Sequence, residues 1–367
     1  MITSNSLTAG ALVGLIALVP GASAAAAESL PSTGRKVVLD TVGDGFRWKI
    51  VDAPVQAPGP RQVLVRVRAV ALNRGDLEML DPKSGGKAGQ AVLSDAAGEI
   101  VAVGDEVKDF RPGDRVTSLY FRNWTDGPPN DEKLAATHGG SVDGVLADFL
   151  MLDDTAVAPM PEGLGFEEAA TLPTAGLTAW MAVNGHRALR PGDIVLVQGT
   201  GGVSTFALQF AAALGGRVIA TSSSDQKLEK AKALGARDGI NYRTTPAWSA
   251  RVLELTNGHG ADVIVDVGGK SSLAESAKSL AHWGMLSIVG GLTGYDGQIS
   301  ALDLLLRTAR AQGIYVGSRA DYLRMSKFIA QHGLRPAIDR VFALDDYEAA
   351  LKHLESGEFV GKIVLKL

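Results

Sequence analysis

The sequence predicts an α/β protein in which a doubly wound parallel sheet is joined to a second, β-rich lobe. Two observations carry this prediction. Residues 194–197 are a short apolar run ending at Gly199-Thr200-Gly201-Gly202-Val203-Ser204; residues 203–214 then repeat apolar positions at helical spacing, and residues 217–221 read as another buried strand. Far upstream, residues 62–72 (QVLVRVRAVAL) alternate with period two, placing Val63, Val65 and Val67 on one face and Arg66 and Arg68 on the other.

Taken in order, the elements fall into two textures. A strand over 36–39 opens the first lobe, followed by a glycine turn, another extended piece ending at Asp52, and a link carrying Pro54, Pro58 and Pro60. After the 62–72 strand, residues 99–103 and 114–116 continue the β-rich texture, with Arg111-Pro112-Gly113-Asp114 as a turn between them, and residues 141–152 add further extended chain. From Phe166 the texture changes. Residues 167–188 read as a long helical stretch, and strand and helix units then alternate to about Val316. Residues 261–267 and 286–289 are later strands of the open sheet, each closing on a glycine pair (Gly268-Gly269, Gly290-Gly291) that suits a ligand crevice at the strand ends. Helices over 322–332 and 344–356 and a last strand over 362–367 return to complete the first lobe. The predicted division is therefore 35–162 with 319–367, and 163–318.

The strand, glycine turn, helix and strand from 194 to 221 are the Rossmann unit, which sets a dinucleotide pyrophosphate on a helix N-terminus. Gly199 permits the tight turn, and Gly201 and Gly202 leave room for phosphates. Thr200 and Val203 complete the turn, and Ser204 stands where a third small residue allows close helix packing. An NAD site carries Asp or Glu about 20 residues beyond the glycines. Here that place reads Ala220-Thr221-Ser222-Ser223-Ser224, with Lys227 and Tyr242 at the same corner. Hydroxyls and a lysine suit a 2′-phosphate, so NADPH is expected and NADH is the less favoured cofactor. The same serines also read as an N-cap cluster, and Asp225 as a displaced ribose ligand favouring NAD.

Composition bounds the rest. A chain of 367 residues with 46% hydrophobic content supports two full cores. A net charge of −4 with interspersed signs shows no nucleic-acid footprint. The absence of cysteine excludes disulfides, iron–sulfur centres, cysteine-ligated zinc and thiol catalysis. Residues 1–34 are set aside as a signal peptide or disordered leader. Residues 7–19 are apolar but too short to span a bilayer, and Pro20-Gly21-Ala22-Ser23-Ala24 offers an A-x-A type cleavage site, although no Lys or Arg precedes it. No membrane span is expected in the mature chain. The leader favours export whereas cofactor supply favours the cytoplasm, and the location stays open.

Several motifs together resemble the medium-chain dehydrogenase/reductase superfamily over residues 36–367. They are Ala71-Leu72-Asn73-Arg74-Gly75-Asp76, Asp95-Ala96-Ala97-Gly98-Glu99-Ile100, Phe110-Arg111-Pro112-Gly113-Asp114-Arg115-Val116, Ala169-Ala170-Thr171-Leu172-Pro173, and the glycine turn with its Ile240-Asn241-Tyr242 strand. The chain is most similar to the zinc-independent, quinone-oxidoreductase-like and alcohol-dehydrogenase-like branch. The resemblance implies a Rossmann domain plus a β-rich GroES-like catalytic domain, and a homodimer joined through the strand near Tyr315-Val316. It implies Asn73 beside the nicotinamide and the substrate carbonyl, and Thr178 near the carboxamide. Val267, Gly290 and Val316 would line the nicotinamide cleft, and Lys362 would sit beside the cofactor phosphates. Zinc-dependent members place Cys where Asn73 stands, His-Glu where Ser94-Asp95 stand, and Cys where Thr174 stands. Asn and Thr are poor zinc ligands, so no catalytic zinc is expected. The four-cysteine structural zinc lobe is also replaced, by residues 123–129. Residues 80–92 depart from the family's pattern at the mouth of the site.

These readings predict hydride transfer from NADPH to a quinone or an α,β-unsaturated carbonyl. Alcohol oxidation and non-catalytic NADPH binding are the alternatives. Asp76 and Asp95 are read either as a proton relay or as buried structural carboxylates. His138 is expected in a surface loop. Tyr120, Phe121 and Trp124 suggest an apolar substrate pocket or plain core.

Overall fold

The computed structural model describes residue 1 and residues 30–367, of which Ser32–Leu367 make one compact unit. The expected leader lies outside the described residues except at its end. There the strand Thr33–Val42 starts inside the segment set aside and pairs antiparallel with Gly45–Pro54. Its ladder runs past the apolar centre (Val37, Leu39) to Gly34 opposite Ala53, which is why the hydrophobic run alone understated its length.

The parallel sheet runs Asp238–Asn241, Arg217–Ser222, Ile194–Gln198, Ala261–Asp266, Leu280–Ile288, Arg310–Gly313. Numbered along this lobe, that is the order 3-2-1-4-5-6 of a doubly wound dinucleotide fold. Every residue of Ile194–Gln198 is buried, as expected for a central strand covered by helices on both faces. The strand order reverses between Ile194–Gln198 and Ala261–Asp266, so a crevice opens at their carboxyl ends.

The second sheet runs Ile338–Ala343, Lys362–Lys366, Gln62–Ala71, Asp95–Val103, Arg115–Ser118, Val157–Pro159, with Phe149–Asp153 also paired to Gln62–Ala71. It is antiparallel except where Ile338–Ala343 lies parallel to Lys362–Lys366. That edge strand was not expected from the sequence. None of its residues is fully buried, so no clear period-two pattern marks it, and pairing with the last strand holds it in place.

The helical stretch predicted over 167–188 is broken into Phe166–Ala169, a π turn Leu172–Gly176, Leu177–Trp180 and a second π turn Met181–Gly185. Such turns reset which side chains face a neighbouring site. Here they lie between the two sheets and carry Thr174 and Thr178 to the crevice. The helix Arg319–His332 starts with a Ser318/Asp321 capping box and buries Tyr322 completely, with its hydroxyl accepting from Thr117 Oγ1 at 2.9 Å. Among the described residues, no helix is long and apolar enough to cross a membrane.

Candidate active site

Between the two sheets lies a cavity of about 830 Å³; the residues that the glycine turn, the serine corner and the family resemblance single out for cofactor and substrate contact line it, whereas Asp95, Phe121, Trp124 and Asp225 do not. At its floor is the glycine turn. Gly199 has φ of +71°, a left-handed conformation that a side chain resists, and its N–H donates to the Thr221 carbonyl at 2.8 Å. The helix Gly202–Ala213 then begins with Gly201 as its N-cap, which has no side chain to cap the first N–H groups. Those donors and the helix dipole face the crevice uncompensated, as an anion-binding helix start requires. Gly361 closes the turn from the other lobe. Its N–H donates to the Thr200 carbonyl at 2.9 Å, and at φ of +94° a Cβ there would stand 2.1 Å from the Ala337 carbonyl oxygen.

The fit of a dinucleotide rests on uncommitted polar groups. The hydroxyls of Thr178, Thr200, Ser222 and Ser223 line the cavity and make no hydrogen bond within the protein. Buried hydroxyls elsewhere, at Ser272, Ser276, Ser287 and Ser318, are paired, and so is that of Ser204, which lines the cavity at the turn. These hydroxyls are not sealed in: among the described residues, the enclosed side-chain polar atom without a partner is Trp48 Nε1, which does not line this cleft. Val267 and Gly290 form one wall of it. Val316 adds another and holds φ of +56°, a rare conformation for a β-branched residue of the kind that concentrates at functional sites.

Ser224 accepts from the Lys227 N–H, so the N-cap reading of the serine cluster holds for that residue and leaves Ser222 and Ser223 available. Tyr242 follows the third strand and is partly exposed at the same end. The Lys227 ammonium is already engaged: it donates to the Gly357 carbonyl at 2.7 Å and pairs with Glu358 at 3.4 Å. Asp225 accepts from Asn241 Nδ2 at 2.9 Å.

Asn73, Ser94, Asp95, Thr174 and Lys362 meet at the inner end. Asn73 Nδ2 donates to Asp95 Oδ2 at 2.9 Å and lies 3.4 Å from Ser94 Oγ. Its Oδ1 accepts from Lys362 Nζ at 2.5 Å, which fixes the orientation of the amide. The amide thereby bridges a buried ammonium and a buried carboxylate. Thr174 Oγ1 donates to Asp95 Oδ1 at 2.5 Å, and Ser94 Oγ does so at 3.1 Å. Lys362 Nζ also donates to the Leu72 carbonyl, so the ammonium turns into this cluster although the residue lines the phosphate end too. Asp76 Oδ2 accepts the Asn73 N–H at 2.5 Å.

The cluster holds two carboxylates against one ammonium, all buried. Burial pushes Asp76 up to about 7, helped by the Asp95 charge and opposed by the Asn73 N–H and Lys362. Burial also raises Asp95 and lowers Lys362, and in both cases the opposite charges counteract it. As a metal site the set does not fit zinc. The residues standing at the family's ligand positions supply an amide, two hydroxyls and one carboxylate, already spent on one another. Among the described residues, no cluster of three His, Cys, Asp or Glu is placed to hold a metal ion.

One residue differs from its sequence reading, an aromatic trio read two ways divides between the two, and one residue was overlooked. His138 is not a surface-loop residue. It is 5% exposed, lines the cavity and hydrogen-bonds through Nδ1 to the Leu119 carbonyl at 2.7 Å, because its segment pairs with the chain around Tyr120 and Phe121. Of the aromatic trio, Phe121 and Trp124 are core, while Tyr120 lines the cavity with its hydroxyl 3.4 Å from that of Tyr315. Arg74, overlooked in the sequence, also lines the cavity; it is half-exposed and only loosely paired with Glu78 at 3.9 Å. The signal was its place beside Asn73 in a motif already singled out.

Comparison with known proteins agrees with this architecture. Residues 59–162 match the alcohol dehydrogenase GroES-like domain, and residues 202–331 match the zinc-binding dehydrogenase domain. A zinc-type alcohol dehydrogenase-like protein of Schizosaccharomyces pombe is 41% identical over 348 residues, covering 91% of this chain and 99% of the relative. A quinone oxidoreductase of Pseudomonas aeruginosa is 32% identical over 321 residues, covering 84% and 92%. The crystal structure of a candidate alcohol dehydrogenase from Sinorhizobium meliloti 1021 superposes with a TM-score of 0.87 at 39% identity, covering 92% of this chain and all of that one. The chain belongs to the medium-chain dehydrogenase/reductase superfamily and is an oxidoreductase of that family. Solved relatives include an NAD-dependent alcohol dehydrogenase at 33% identity and a crotonyl-CoA carboxylase/reductase in complex with NADP at 26%.

Proposed function

We propose that this protein is a zinc-independent, NADPH-dependent reductase of quinones or α,β-unsaturated carbonyls. The observation that carries the reading is the single cavity joining an uncapped helix start, a row of unpartnered hydroxyls and a metal-poor polar cluster. The Gly199 to Val203 turn binds the pyrophosphate, and Ser222, Ser223, Lys227 and Tyr242 hold the adenosine phosphate end. Lys227 would exchange its Gly357 and Glu358 contacts for that phosphate. Val267, Gly290 and Val316 wall in the nicotinamide, which when bound supplies a hydride.

Without a metal to polarise the carbonyl, positioning and hydrogen-bond donors must stabilise the developing oxyanion. Thr178, with a free hydroxyl on the cavity, is the donor on this reading. Asn73 has both ends of its amide committed, so it acts by fixing Lys362 and Asp95 at the reacting end. The lobes at 35–162 with 319–367 and at 163–318 thus divide substrate from cofactor binding. Dimerisation through the free edge Arg310–Gly313 is part of the proposal, supported by the exposed Trp283, Leu302, Leu305 and Leu306 nearby in the sheet lobe.

The test follows reduced-nicotinamide absorbance with NADPH and NADH in parallel, each with a quinone and an enone, with and without a chelator. Chelator-insensitive consumption of NADPH is expected. Faster use of NADH overturns the cofactor assignment, and loss of activity on chelation overturns zinc independence. Turnover confined to NADP with simple alcohols would reassign the protein to alcohol oxidation, as the names of several relatives suggest.

A further inference from the structure

Asp266 closes the strand Ala261–Asp266, is completely buried and does not line the cavity. Its Oδ1 accepts from the Gly268 N–H at 3.1 Å, the Gly269 N–H at 3.0 Å and Ser272 Oγ at 2.7 Å. Its Oδ2 accepts from Gln198 Nε2 at 2.9 Å and Ser276 Oγ at 2.6 Å. All of these donors are neutral groups. Burying a carboxylate without a cation is costly, and converging dipoles only offset that cost. An apolar side chain would fill the same space at less expense, so the role of Asp266 lies in what it ties together.

The segments it joins are the two ends of the proposed dinucleotide path. Gln198 immediately precedes Gly199 of the phosphate turn, and its carbonyl accepts from Ser204 Oγ, in the first turn of the helix Gly202–Ala213, at 2.7 Å. Gly268 and Gly269 follow Val267 on the nicotinamide wall. The Asp266 carbonyl accepts the Val289 N–H at 2.8 Å, and the Val267 carbonyl accepts the Leu292 N–H at 3.2 Å, so the Gly290 side of that wall is tied to the same point. The turn has no slack: a Cβ on Gly268 would stand 2.4 Å from Ser272 Oγ, and one on Gly269 2.4 Å from the Gly294 carbonyl oxygen. The ladder between the two central strands stops at Val265 opposite Val197. Beyond it, the Gln198 amide joins the phosphate turn to the nicotinamide wall, through Asp266 Oδ2 and through its own Oε1, which accepts the Gly268 N–H at 3.3 Å.

We infer that Asp266 is a positioning residue: by holding Gln198 and the Gly268–Gly269 turn on one carboxylate, it fixes the separation between the phosphate turn and the nicotinamide wall, and with it the placement of the nicotinamide ring. The inference rests on the dinucleotide reading of the cavity and not on the choice of substrate. Ser222, at the adenosine end, closes the strand Arg217–Ser222, which lies on the opposite side of Ile194–Gln198 from Ala261–Asp266. Binding of that end therefore does not pass through Asp266. Hydride transfer does depend on it, since a misplacement of about 1 Å costs about 100-fold in rate.

The test measures, by calorimetry on the full chain, affinity for NADPH and for adenosine 2′,5′-bisphosphate, which carries the adenosine end alone. Should NADH prove the tighter cofactor, NADH and AMP form the pair. The proteins are wild type, Asp266→Asn, Gln198→Met and the exchange of Asp266→Asn with Gln198→Glu. Asp266→Asn sets one amide NH2 against another, Gln198→Met removes the same bond from the other side, and the exchange restores a donor facing an acceptor. Each single variant should lose about tenfold in affinity for the whole cofactor, stay within about twofold for the adenosine fragment, and show kcat with a naphthoquinone lowered by about 10–100-fold. The exchange should recover most of both losses. Equal losses on the two ligands mark a general loss of structure and overturn the inference. Unchanged cofactor affinity, or an exchange no better than the single variants, overturns it as well. If neither single variant folds, judged by circular dichroism and Tm, the pair is a folding element and the inference falls. If wild type binds the cofactor yet reduces no quinone or enone, the substrate reading fails while the affinity split still decides the role of Asp266. If wild type binds neither NADPH nor NADH, the cofactor reading fails and the inference with it.

Discussion

Replacing Asp76 with Asn should flatten the protein's stability between about pH 5 and about pH 8. Asp76 is buried, and its carboxyl is pushed up to about 7, chiefly by burial. In the unfolded chain it titrates near the ordinary value of about 3.9. The folded state therefore holds this proton more tightly. The resulting stabilisation is fully present below the unfolded pKa and is lost as pH rises through the folded one. Integrating the two titrations for a single site gives a loss of about 2–3 kcal/mol between about pH 5 and about pH 8. Asn cannot ionise, yet it keeps an acceptor for the Asn73 N–H that Asp76 now satisfies at 2.5 Å. The raised Asp95 and lowered Lys362 titrate in both proteins, so their contributions largely cancel in the comparison. Urea unfolding followed by tryptophan fluorescence, at both pH values and for both proteins, measures the double difference. Parallel pH slopes would refute the reasoning, because they would mean that Asp76 is already ionised in the folded protein at the lower pH.

Four other substitutions probe the rest of the cleft. Lys227→Met should raise the NADPH KM by about tenfold and leave that for NADH unchanged, since only the former carries the extra phosphate; Glu358→Gln, which frees Lys227 from a competing partner, should shift the preference the other way. Thr178→Val keeps the shape and removes the free hydroxyl, so kcat should fall by about 10–100-fold with little change in the NADPH Kd measured by fluorescence titration. Lys362→Met strands two buried carboxylates and should cost about 3–5 kcal/mol, read as a lowered Tm that recovers partly on acidification.

The cofactor end was readable because its chemistry is local. A glycine turn, a helix start and the strands on either side are consecutive in sequence, and together they place Gly199 to Val203, Ser222 and Tyr242 on one cavity. The inner cluster was only half readable. Asn73 and Asp95 were visible as motif residues, but the commitment of both amide ends depends on Lys362, which is distant in sequence and arrives on the last strand. His138 was misplaced for the same reason. A polar, glycine-flanked histidine looks like a loop residue until the Leu119 and Tyr120 carbonyls, supplied by another segment, draw it inward. The edge strand Ile338–Ala343 carried no clear burial period of its own.

The strand order of the second sheet also has a consequence for how the molecule assembles. Gln62–Ala71 is bonded on one side to Asp95–Val103, a near neighbour in sequence, and at its other edge to Lys362–Lys366, the whole parallel lobe intervening. Closing that long loop brings no contacts until the ends meet, and such distant pairings slow folding. The parallel lobe, whose strands all come from one continuous stretch, can gather its core without waiting for this pairing. Asn73, meanwhile, has no Lys362 to accept from until the last strand docks. The catalytic end of the cleft should therefore be the last part of the protein to become ordered, well after the cofactor end has formed.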